Sequence, residues 1–64
     1  MLLEKKGSRQ RIEIITDAND DWFLYVKHVV IKSGIVENSS MIIRKDLSDW
    51  LRYLSTMGWE LKEE

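Results

Sequence analysis

This sequence predicts an α+β domain, an antiparallel sheet of three to four strands with one C-terminal helix packed on it. Three observations point there. Residues 41–61 read as a strand, an amphipathic helix, a glycine stop and a short extended tail. Upstream, from Arg9 to Ser40, β-favouring runs alternate with clusters of Asp, Asn, Ser and Gly, the residues of turns. Finally, 64 residues with no cysteine and a single histidine leave room for one small domain, with no disulfide to staple it.

Taken in order, residues 1–8 mix Leu2 and Leu3 with a Lys-Lys-Gly-Ser stretch and show no period. They are expected to be a flexible N-terminal arm, and 9–64 the folded domain. Arg11-Ile12-Glu13-Ile14 alternates polar and apolar, the mark of a half-buried strand, and Ile15-Thr16 continues it. Asp17 to Asp21 is a turn, because Asn and Asp side chains bond their own backbone. Trp22 to Lys32 follows as a long strand, with Trp22, Leu24 and Val26 assigned to the buried face and Phe23, Tyr25 and Lys27 to the other. Val29-Val30-Ile31 breaks that phase, which calls for a bulge near His28 or for cover on both faces.

Ser33-Gly34 supplies a hairpin turn. Beyond it, Ile35-Val36 reads as a short strand, Glu37 to Ser40 as a turn and Met41 to Lys45 as another strand. Whether 35–45 is one strand or two is left open by the residues. Asp46 is placed to cap the helix, with Ser48 as the rival. Leu47, Leu51 and Leu54 make the core stripe, and Trp50, Tyr53 and Met57 a second apolar stripe beside it. Gly58 stands where a left-handed stop is needed. Trp59-Glu60-Leu61 alternates like a strand.

The chemistry-bearing motifs are few. Asp17-x-Asn19-x-Asp21 matches the first ligands of an EF-hand calcium loop. The required glycine is replaced by Trp22 and the bidentate glutamate by His28. No metal or cofactor is therefore expected. His28 has no specified nucleophile or acid beside it, and three glycines form no phosphate loop, so the chain is expected not to be an enzyme. No apolar run suits a signal peptide or a bilayer span of about 20 residues. The expected location is cytoplasmic, with no membrane partner.

Net charge is −1, yet the charges are sorted along the chain. Phe23, Tyr25 and Lys27 alternate onto one strand face, where rings stack on unpaired bases and lysines follow phosphates. Arg11, Arg44 and Lys45 extend that candidate track. The competing reading places Phe23 and Tyr25 under a protein partner or at the core edge. A core this small also has apolar surface to spare at Trp50, Tyr53, Met57 and Trp59, the expected interface of a homodimer.

The succession of strands and turns, the strand Met-Ile-Ile-Arg-Lys-Asp-Leu and the helix Ser-Asp-Trp-Leu-Arg-Tyr-Leu resemble the ββββα module of Pur-type and whirly-type single-stranded nucleic-acid binders over residues 9–57. The resemblance implies dimerisation through the helix and binding of single strands on the sheet. This chain departs from the pattern in being slightly acidic, with fewer basic residues. The sequence thus leads to a small non-enzymatic protein that binds single-stranded nucleic acid as a homodimer, or to a protein-interaction module, such as a phage-like inhibitor or adaptor.

Overall fold

The computed structural model describes residues 1–17 and 19–62. Among the described residues, five strands form one sheet: β1 (Leu2–Lys5), β2 (Gln10–Ile15), β3 (Phe23–Val30), β4 (Val36–Ile43) and β5 (Trp59–Lys62). Helix α1 (Leu47–Thr56) follows a single 3-10 turn at Arg44–Asp46. The spatial order is β4-β3-β2-β1-β5, and every neighbouring pair is antiparallel. The α+β class stands, with five strands where three to four were expected.

The extra strand comes from the N-terminus. Residues 1–8, expected to be a flexible arm, instead supply β1, which lies between β2 and β5. Leu3 is buried opposite Ile12 on one side and Leu61 on the other. The charges of Glu4, Lys5 and Lys6 hid this strand, because only one side chain, Leu3, reaches the core.

Four strands run as a meander, and α1 then carries the chain from β4 at one edge to β5 at the other. Ten helical residues rise about 15 Å, while four strand spacings amount to about 19 Å. The helix and its preceding turn are thus matched to the width of the sheet. They cover one face, where Leu3, Ile12, Ile14, Leu24, Val26 and Leu54 form the core, flanked by Ile42, Leu47, Trp50, Leu51 and Trp59. Burying an aliphatic side chain of this kind contributes about 1.5–3 kcal/mol. With no disulfide available, this one layer of contacts carries the fold.

Several local expectations change. Residues 36–43 form a single strand, so Glu37 to Ser40 is not a turn. The bulge near His28 lies in β4: His28 faces Asn38 but Val29 faces Val36, which leaves Glu37 as the extra residue. Trp22, assigned to the buried face, lies just before β3 and is 73% exposed. Asp46 precedes α1 without a side-chain capping bond: the 3-10 turn holds it in the helical region (φ −89°, ψ −1°), whereas a capping residue is typically extended. Gly58 adopts φ +96° and ends the helix as expected.

Candidate recognition face

Strand alternation decides which side chains stand on the face without the helix. Ile12, Ile14, Leu24 and Val26 point to the core, so their neighbours Ile15, Phe23, Tyr25 and Lys27 point away. The register then aligns them across strands. Ile15 pairs with Tyr25 and Tyr25 with Met41, while Phe23 pairs with Ile43. All five of these large apolar side chains are exposed, Met41 most of all at 57%. A shallow groove runs between them, lined by Ile15, Tyr25, Lys27, Ser39 and Met41. A second hollow beside it joins Trp22 to Ile43, Arg44 and Lys45.

The sequence placed Phe23, Tyr25 and Lys27 on a common face, and the register brings them together there. It did not single out Ile15, Met41, Ile43 or Trp22. The overlooked signal for Ile15 is the doublet Ile14-Ile15, which in a strand must send one isoleucine to each face.

The cations expected on the phosphate track are differently placed. Arg11 Nε donates to Glu13 Oε2 at 3.0 Å on the same face. Glu13 also stands directly opposite Lys27. Arg44 turns towards the acidic turn, where its guanidinium donates to the backbone carbonyls of Asp20 at 2.6 Å and Asp17 at 3.3 Å. Its Nε is buried with no hydrogen-bond partner among the described residues. Arg9 pairs with Glu37 at 3.1 Å. Lys45 is exposed beside Trp22.

The acidic turn itself is a backbone device. Asp17 Oδ1 accepts from the Asn19 amide at 2.9 Å. Asp20 Oδ1 accepts from both the Trp22 and Phe23 amides at 3.0 Å. Those two bonds, chiefly the one from Phe23, hold the Asp20 carboxyl below its ordinary value, with Arg44 adding to the effect. Among the described residues, no group of three or more His, Cys, Asp or Glu side chains is arranged to hold a metal ion.

Of the expected interface, Trp50 and Trp59 pack against the core, whereas Tyr53 and Met57 are exposed on the helix. No described helix is long and apolar enough to cross a membrane. The fold and this face define a small α+β domain with an uncovered apolar sheet surface; no family model, curated protein or solved structure matches the chain.

Proposed function

We propose that this chain is a non-enzymatic protein-interaction module that docks through the open face at the β3–β4 end of its sheet. One observation carries the reading: Ile15, Phe23, Tyr25, Met41 and Ile43 are exposed side by side, with Trp22 at the rim. Contiguous apolar patches with Trp and Tyr anchors mark protein docking sites, since such anchors supply most of the energy of an interface. The test is capture of a protein partner by the immobilised chain, compared with a Phe23→Ser, Tyr25→Ser variant of unchanged circular dichroism. Loss of a specific partner in the variant is expected. Equal capture by both proteins would discard this face.

A second reading, single-stranded nucleic-acid binding, is favoured by Phe23, Tyr25 and Lys27 sharing that face. It is weakened by the pairing of Arg11 with Glu13 and of Arg44 with the turn. A fluorescent oligonucleotide titrated at two salt concentrations separates the two. Tight binding that falls steeply with salt and is lost in Tyr25→Ala would establish the nucleic-acid reading instead.

A further inference from the structure

The two edges of the sheet are unlike. β5 is four residues long and carries Glu60 and Lys62, joined at 3.1 Å. Short, charged strands are how natural sheets keep an edge from pairing with another chain. β4 is eight residues long, and between Asn38 and Ile43 it has no charge and no proline. Its only charged residue, Glu37, sits at the bulge and is held by Arg9 and Gln10. The stretch from Asn38 to Ile43 is therefore an unbulged, unguarded edge.

The backbone direction along that edge follows from one bond. The Arg44 amide donates to the Trp22 carbonyl at 2.8 Å, in step with the Phe23–Ile43 register. Alternation then turns Ile42, Ser40 and Asn38 towards β3. It leaves the amides and carbonyls of Ile43, Met41 and Ser39 facing outwards. The side chains of Met41 and Ile43 lie in the exposed apolar patch.

We infer that β4 is the seam of a two-fold homodimer, in which two copies pair β4 to β4 in antiparallel fashion with Met41 on the axis. This deepens the interaction reading, on whose apolar patch it rests, by naming one partner: a second copy of this chain. The register is the one that uses every outward group. Met41 exchanges bonds with its own counterpart, and Ser39 with Ile43 of the second copy, twice over, for about six backbone hydrogen bonds. The same register brings Met41 and Ile43 of both copies together across the seam. It also sets Glu37 of each strand opposite the exposed Lys45 of the other, so opposite charges meet at both rims. The pairing closes, because the joined sheet ends on two β5 edges that are short and charged.

Sedimentation of the full chain at micromolar concentration should give twice the 7.6 kDa of one copy. Ile43→Lys, which puts a charge on the seam, should halve that mass. The register is read by single cysteines, since the chain has none of its own. Across the axis, the Met41 Cα atoms lie about 5.5 Å apart, within disulfide reach. Met41→Cys should therefore cross-link under mild oxidation at least about tenfold faster than Ser39→Cys or Tyr53→Cys alone, and a mixture of Ser39→Cys with Ile43→Cys should also cross-link quickly. A monomer by sedimentation, equal rates for Met41→Cys and Ser39→Cys, or faster linking of Tyr53→Cys would each overturn the pairing. Should Ile43→Lys fail to fold, the cysteine comparison decides alone. Failure here is distinguishable from failure of the interaction reading, which is judged by capture of a different protein on Phe23 and Tyr25.

Discussion

Arg44 is the residue whose placement most changes what the sequence suggested. Its guanidinium ties the β4 end of the sheet to the acidic turn through the carbonyls of Asp17 and Asp20. Arg44→Ala should lower stability by about 1.5–3 kcal/mol, the range for hydrogen bonds to charged groups, as read from the urea midpoint. A phosphate-binding role would instead leave that midpoint unchanged and weaken oligonucleotide binding. Asp20 gives the turn a pH dependence. Its folded carboxyl titrates below the ordinary 3.8, so its stabilising contribution is complete above that value and is lost as pH falls through the folded one. The stability gap between wild type and Asp20→Ala should therefore be constant near neutrality and close below pH 3.8 in urea titrations. The turn was legible from its Asp and Asn residues. Arg44's role was not, because 24 positions separate it from Asp20 and only the fold brings them together.

At the scale of the element, α1 was the most legible feature, expected over about 47–57 and found at Leu47–Thr56. Its apolar spacing and Gly58 stop are local signals that need no tertiary information. Leu54 is the helix residue driven deepest into the core. Leu54→Ala should cost about 2–5 kcal/mol through lost burial and an unfilled cavity, again read from denaturant unfolding. An unshifted midpoint would mean that the helix packs on another stripe. β4 was harder to read because Asn38-Ser39-Ser40 looks like turn chemistry. In the fold these polar residues stand exposed on β4, where little packing demands the β-branched or aromatic side chains that favour strands.

At the scale of the molecule, the strand order could not be read from residue types. Nothing local in Leu2 to Lys5 says that it pairs with both β2 and β5. A flexible arm could be removed without effect, whereas deletion of residues 1–5 takes an interior strand out of the sheet. The truncated chain should lose cooperative thermal unfolding, with circular dichroism as the measurement. Retention of a sharp transition would return residues 1–8 to the role of an arm. The open face was half legible: alternation gave Phe23 and Tyr25, but the addition of Ile15, Met41 and Ile43 needed the register across β2, β3 and β4.

The position of β1 also sets an order of events in time. Leu2 pairs with Lys62, so almost the whole chain must be closed into a loop before β1 acquires its second neighbour. Contacts this distant in sequence come late and slow the search, because loop closure is paid in entropy before any contact rewards it. The β2–β3–β4 hairpins, whose turns are local, are free to assemble first. On a growing chain β1 is thus held with one bare side until β5 has been made, and in that interval the nascent protein exposes that side to pairing with its neighbours.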